Sequence, residues 1–183
     1  MKRFFSHGLH AVAACALLAS TAAAADGFRL TSPAFAAGAG IPEKYTCEGG
    51  SVSPPLAWTD PPAGTQSFVL SVSDPDSPDP AAPLMTWVHW VVYGLPADAR
   101  ALAEGASRKL PPGARHALND WKSPDYGGPC PPKGRHRYVF KLYALDVPPS
   151  NRGSIPHANL GRMIKTHVLG TAELVATYEK QRR

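Results

Sequence analysis

The sequence predicts a mainly β fold of two sheets, and three observations carry that expectation. All 20 prolines lie after residue 25, a density more than twice the usual ~5% that discourages long helices. Apolar runs of strand length recur along the chain. Between them lie loops dense in Gly and Pro: "AGAGIPEKYTCEGGSVSPP", "DPPAGT", "DPDSPDPAAP" and "DYGGPCPPKG". Short strands with long punctuated connections point to a β-sandwich or a related two-sheet fold.

Taken in order, strands are expected over 28–30, 67–73, 88–93 and 137–145. "ADARALAEGASRKL" suits a short helical turn. One segment reads as a helix: after Ser154, "IPHANLGRMIKTHVL" places Pro156 in the first turn and Leu160, Met163, Ile164 and Val168 on one face. "TAELVATYEK", after Gly170, completes the set as a last strand. No internal repeat or second domain is visible, so 26–183 is read as one domain.

Residues 1–25 have a different character. Lys2 and Arg3 precede an apolar stretch ending "CALLASTAAAA", with Ala23 and Ala25 placed for cleavage before Asp26. This is the pattern of a secretory signal peptide, and a periplasmic destination follows. The apolar stretch is shorter than the ~20 residues a membrane span needs, so no stable insertion is expected after cleavage. "VAAC", ending at Cys15, also mimics a lipoprotein box, leaving lipidation as an alternative. Removing residues 1–25 takes away Lys2 and Arg3 and no acid, lowering the formal charge from +5 to +3. That excess does not argue for nucleic acid.

Cys47 and Cys130 remain in the exported chain. Two readings stand open: one disulfide closing a long loop, or two separate thiols lining a pocket. CxxC, HExxH, Cys/His zinc spacing, GxSxG, P-loop and dinucleotide fingerprints are all absent, and no cofactor is expected.

Strand alternation orders the remaining candidates. Over 87–93 it places Trp87, His89, Val91 and Tyr93 on one face and Val88, Trp90 and Val92 on the other. In "HRYVFKLYAL", His136, at the start of the strand over 137–145, shares a face with Tyr138 and Phe140. His116, in a loop, and His157 and His167, on or beside the helix, read as core histidines with satisfied rings. His89 and His136 have polar company, because the Asp74/Asp76 and Gly128/Cys130 loops adjoin them.

These residues resemble a known family. "DPDSP" followed by "WVHW", then "YGGPCPPKGRHRYVFKLYALD", together with "YTCEGGSVSPPLAW", are similar to the phosphatidylethanolamine-binding protein family. The match is narrower to its bacterial branch, the Raf kinase inhibitor-like proteins. It spans 28–178. The resemblance implies a Greek-key β-sandwich with one or two short peripheral helices and a small end pocket for phosphate or a phosphorylated headgroup.

By position, Asp74 and Asp76 match the family's "DPD" acids. Trp87 and His89 match its pocket tryptophan and histidine. Gly128 and Cys130 fall in its glycine-rich loop, and His136 and Tyr138 match its "HRY" pair. Val88 stands where animal members carry a second histidine. The resemblance also implies self-association and leaves room for a protein partner modulated through the pocket rim.

Two like charges 4 Å apart repel by ~4 kcal/mol at an effective dielectric of 20, so acids beside a phosphate need a proton or cation between them. The expected arrangement has Asp74 orienting or charging His89, with both imidazoles and the Tyr138 hydroxyl donating to the anion. Asp76 then receives an ammonium group or caps the turn. The alternative is a hydrolase that uses the Asp/His cluster for acid/base or metal chemistry.

Overall fold

The computed structural model describes residues 27–148 and 155–181. The segment read as a signal peptide and the Cys15 box lie outside the described residues, as does Ser154. Among the described residues, eight strands and one helix follow in order. They are β1 (Arg29–Thr31), β2 (Leu56–Thr59), β3 (Ser67–Ser77), β4 (Met85–Pro96), β5 (Ala101–Leu102), β6 (Arg115–Ala117), β7 (Arg135–Leu145), α1 (His157–Ile164) and β8 (Val168–Glu179). Single 3-10 turns lie at Glu43–Tyr45 and Ala106–Arg108. The latter is the helical turn expected there, and β5 precedes it.

Two antiparallel sheets result, ordered β1-β2-β5 and β6-β4-β3-β7-β8. The β6-β4-β3-β7 portion is a Greek key: three strands lie side by side, and a fourth returns over a long connection to pair with the first. The sheets face each other across Leu30, Leu56, Trp58, Phe68, Leu70, Val92, Phe140 and Leu142, all nearly or fully buried. The outer face of the larger sheet carries Val69, Val91 and Tyr93, covered by Leu160 and Ile164 of α1. Met163 is left largely exposed, and Val168 opens β8 instead of extending the helix.

Three local expectations are corrected. The "DPDS" residues are strand, not loop, because β3 runs to Ser77. Its pairing with β7 ends at Ser73↔Val139, and beyond that point carboxylates replace the backbone ladder. Asp76 Oδ2 accepts the Arg137 backbone N–H at 2.9 Å, while Pro75, which has no N–H to offer, sits where the β3/β4 register shifts. Asp79 caps the turn that follows, accepting from the Ala81 N–H at 3.0 Å.

The second correction concerns alternation in β4. Val72 pairs with Trp90 and Ser73 with Val88, so His89 is an extra residue in a β-bulge. Trp90 and Val92 therefore face the inter-sheet core, while Val88, Val91 and Tyr93 share the α1 side. His89 keeps the pocket side together with Trp87 only because the bulge absorbs one residue.

Third, the histidines read as core residues are satisfied but not deeply buried. His157 Nε2 lies 2.9 Å from Asp120 Oδ1, and His167 Nδ1 lies 2.9 Å from Asp146 Oδ1 at the surface. His116 sits in β6, where its Nδ1 accepts from Trp90 Nε1 at 3.2 Å.

Candidate functional site

The bulge aims the His89 ring inward, and the loop after β6 fixes it there. Its Nδ1 lies 2.7 Å from the Gly127 carbonyl; a carbonyl can only accept, so Nδ1 carries the proton. The Gly127 N–H returns a bond to the His89 carbonyl at 3.1 Å, and Asn119 Nδ2 adds a second at 3.2 Å. Nε2 is left for the cavity that His89 lines. Burial pushes the His89 pKa below its ordinary value, so the ring is neutral at neutral pH and Nε2 presents a lone pair.

Asp74 does not hold His89. Its Oδ2 lies 2.7 Å from His136 Nδ1, and its Oδ1 accepts the Asp76 N–H at 2.8 Å. His136 Nε2 donates to the Lys133 carbonyl at 3.0 Å, which uses its other nitrogen. His136 is wholly buried, so it supports the site from behind and does not reach a ligand. One proton lies between Asp74 and His136 whichever atom carries it, and the pair is neutral as a unit either way.

Asp76 is also occupied. Arg137 Nε reaches its Oδ2 at 2.9 Å and Nη2 its Oδ1 at 2.6 Å, a bidentate fork. That guanidinium holds the Asp76 carboxyl below the usual carboxylate range. Asp76 therefore has no role as an ammonium receptor; its side chain locks β3 to β7.

Between these supports lies a cavity of about 200 Å³ lined by Asp74, Ser77, Trp87, His89, Trp121, Cys130, Pro131, Pro132 and Tyr138. The His89 and Tyr138 rings meet edge-on with centroids 5.2 Å apart. Trp121 stands edge-on to both Trp87 (5.3 Å) and His89 (5.0 Å). Trp87 Nε1 and the Tyr138 hydroxyl are buried with no hydrogen-bond partner, an unfavourable state that a ligand acceptor would relieve. Burial first, then the Asp74 charge, pushes the Tyr138 pKa far up, so the hydroxyl remains a donor.

Of the residues singled out from sequence, Asp74, Trp87, His89, Cys130 and Tyr138 line this cavity, while Asp76, His136 and Gly128 stand behind it. A Cβ at Gly128 would meet Thr46 Cα at 2.9 Å and Ser51 Oγ at 2.7 Å, so this glycine serves packing, not ligand approach. Cys47 and Cys130 form a disulfide with Cα atoms 5.4 Å apart, closing the choice left open between bridge and thiols. Ser77, Pro131, Pro132 and Trp121 were missed. The two prolines lie inside the quoted "GGPCPPKG", whereas Trp121 carries no local signal.

A larger concavity of about 500 Å³ runs beside Gly40, Arg135, Tyr178 and Gln181. There Arg135 pairs with Glu179. The smaller cavity is the better candidate because it holds two of the three buried unpartnered donors among the described residues, the third, Trp58 Nε1, lying in the inter-sheet core. Among the described residues no group of three or more His, Cys, Asp or Glu side chains converges as for a metal. Asp74, Asp76 and His136 are committed to one another's support, so the hydrolase alternative gains nothing from this arrangement.

A two-sheet Greek key with a histidine-, tyrosine- and tryptophan-lined cavity at one end is the architecture of a PEBP-like binding protein. The chain belongs to the phosphatidylethanolamine-binding protein family, whose model matches residues 31–179. It is 45% identical over 152 residues to a UPF0098 protein of Chlamydia pneumoniae, covering 83% of this chain and 99% of that one. Escherichia coli YbcL is 40% identical over 144 residues, covering 74% and 75%. The crystal structure of YbcL superposes with a TM-score of 0.77 at 36% identity, covering 84% of this chain and 99% of that one. A homolog from Chlamydia trachomatis gives 0.77 at 41% identity, covering 85% and 99%.

Proposed function

We propose that this protein binds a small anion, phosphate or a phosphorylated headgroup, in the 200 Å³ cavity and releases it unchanged. The observation that carries the reading is the pair of buried, unpartnered donors, Trp87 Nε1 and the Tyr138 hydroxyl, on the wall that also presents His89 Nε2. An anion oxygen accepts from both donors. A protonated phosphate oxygen can donate to Nε2 at neutral pH, and in acid the charged ring donates in its turn. The acids do not oppose this, since Asp74 is neutralised with His136 and Asp76 with Arg137.

The amino-terminal pattern supports export to the periplasm, where the disulfide would persist, and sequencing the mature N-terminus tests cleavage after Ala25. A partner modulated through the pocket rim would respond to occupancy. Titration calorimetry with phosphate and with sulfate tests the central reading. Saturable binding, weakened in both His89→Gln and Tyr138→Phe, is expected; no heat from either anion at millimolar concentration overturns it.

A further inference from the structure

Three consecutive residues, Cys130, Pro131 and Pro132, form one side of the cavity wall. Before them the chain is fastened at several points. The Tyr126 hydroxyl donates to the Tyr45 carbonyl at 2.9 Å, Gly127 exchanges bonds with His89, Gly128 packs on Thr46, and the Pro129 carbonyl accepts the Cys47 N–H at 3.1 Å. After them Lys133 is fastened twice, through its carbonyl to His136 and through its ammonium to Asp79. The span between has no such ties. Neither proline has an N–H to give, and among the described residues the one bond joining this span to a distant part of the chain is the Cys47–Cys130 disulfide.

The bridge is placed for chemistry as well as for support. Both cysteines are exposed, so a thiolate can reach the sulfurs without unfolding the chain, and exposed disulfides are among the more easily reduced. The layers of the fold do not hang on it. The fastenings at Tyr126, Gly127, Pro129 and Lys133 persist when the sulfurs part, so cleavage releases the wall from Cys130 to Pro132 and little else.

We propose that the Cys47–Cys130 bridge is a site of thiol–disulfide exchange that acts as a reversible latch on the cavity wall: a dithiol opens it in the folded protein, and opening lowers the affinity of the cavity for anions. One thiolate of the dithiol attacks a bridge sulfur, forming a mixed disulfide and releasing the other cysteine as a thiolate. The second thiolate of the reagent then attacks the reagent's own sulfur in the mixed disulfide, freeing the remaining cysteine and leaving the reagent as a cyclic disulfide. Two electrons pass to the protein, and the two protons shed by the dithiol end on the two cysteines. With the latch open, the proline wall moves away from His89 and Tyr138 and water enters. Only the affinity effect rests on the proposed anion binding.

The test incubates the protein with dithiothreitol in the absence of denaturant, traps thiols with iodoacetamide and locates them by peptide mass. Alkylation of both Cys47 and Cys130 is expected, at a rate proportional to dithiol concentration and with far-UV circular dichroism unchanged. Sulfate affinity, measured by calorimetry after anaerobic removal of the reagent, should fall at least ~fivefold, the low end of ordinary coupling between sites, and return on reoxidation. Cys47→Ser, which removes the bridge without altering a cavity-lining residue, should match the reduced protein and ignore the dithiol. A further readout needs no anion: solvent exchange of the Trp87 indole proton, on a buried nitrogen without a partner, should quicken on reduction. A bridge cut only in urea, a rate capped by unfolding at high dithiol, or loss of the folded signal on reduction overturns the inference and spares the proposed function. So does a reduced, folded protein that keeps the oxidised affinity. If the oxidised protein binds no sulfate, the proposed function falls and indole exchange alone decides the latch: acceleration supports it, and an unchanged rate overturns it.

Discussion

Asp74 Oδ2 lies 2.7 Å from His136 Nδ1, with both side chains buried at the end of the inter-sheet core. The contact explains how an acid can sit in the wall of a cavity proposed for anions. It also predicts a stability effect. Asp74→Ala strands His136 in a buried site with its Nε2 still committed to Lys133, and removing one partner of a buried pair costs about 3–5 kcal/mol. Urea denaturation of the variant should show a loss of that order. A loss under 1 kcal/mol would mean that the pair contributes nothing.

Tyr138→Phe should separate binding from stability. The hydroxyl is buried and unpartnered, so deleting it leaves the unliganded protein as stable as before or slightly more stable. Anion affinity should fall by about tenfold, the worth of one hydrogen bond to a charged acceptor. Calorimetry and thermal unfolding on one preparation read both quantities, and a destabilised variant with unchanged affinity contradicts the assignment of Tyr138 as a ligand donor.

The pH dependence follows from His89. Burial lowers its pKa in the free protein, whereas a bound dianion beside Nε2 favours the protonated ring and raises it. Affinity is therefore constant above the pKa of the complex and climbs as pH falls toward that of the free protein. Sulfate, whose charge does not change in this range, isolates the effect, and His89→Gln should flatten the profile. Without ligand the sign reverses for stability: the unfolded imidazole protonates near pH 6.5 while the folded one stays neutral, so the stability His89 contributes is present above that pH and declines below it.

The long strands could be read from the sequence because β-branched and aromatic runs such as Phe68–Val72 and Tyr138–Leu142 are buried on at least one face, where alternation is a direct consequence of the pleat. The strand over Asp74–Ser77 could not, because local preference assigns Asp-Pro to turns, whereas pairing with β4 at Trp87 and Met85 and the side-chain bonds to His136 and Arg137 hold it extended. The His89 bulge escaped for a related reason: alternation counts every residue, and a bulge is a register event that involves a second strand. Asp74 was matched with the nearer histidine in sequence, whereas the sheet order puts β7, not β4, beside its carboxylate. Trp121 reaches the cavity through the Asn119-anchored loop, a contact between β6's exit and β4 that no short motif records.

The disulfide ties the Cys47 turn to the cavity wall across 83 residues of chain. Closing so long a loop is worth about 4 kcal/mol in the chain-entropy account. Cys47→Ala/Cys130→Ala should lose stability of that order in urea, and reducing the wild type with a dithiol should reproduce the loss. Equal denaturation midpoints for oxidised and reduced protein would remove the bridge from the account.

Adjacent glycines should respond differently to the same added methyl group. A Cβ on Gly127 would sit 2.4 Å from Trp121 Cζ3, but that ring is half exposed and can swing outward. Gly127→Ala should therefore keep the fold at a cost of about 1–3 kcal/mol, shift tryptophan emission toward the red and weaken anion binding by opening the wall over His89. At Gly128 the obstruction is the Thr46 backbone, with its carbonyl carbon at 2.8 Å and Cα at 2.9 Å, next to the disulfide-bound Cys47. That backbone has no open side toward which to retreat, so Gly128→Ala should be the more destabilising of the two by chemical denaturation. If Gly127→Ala leaves both emission and affinity unchanged, Trp121 is not the movable wall that the geometry implies.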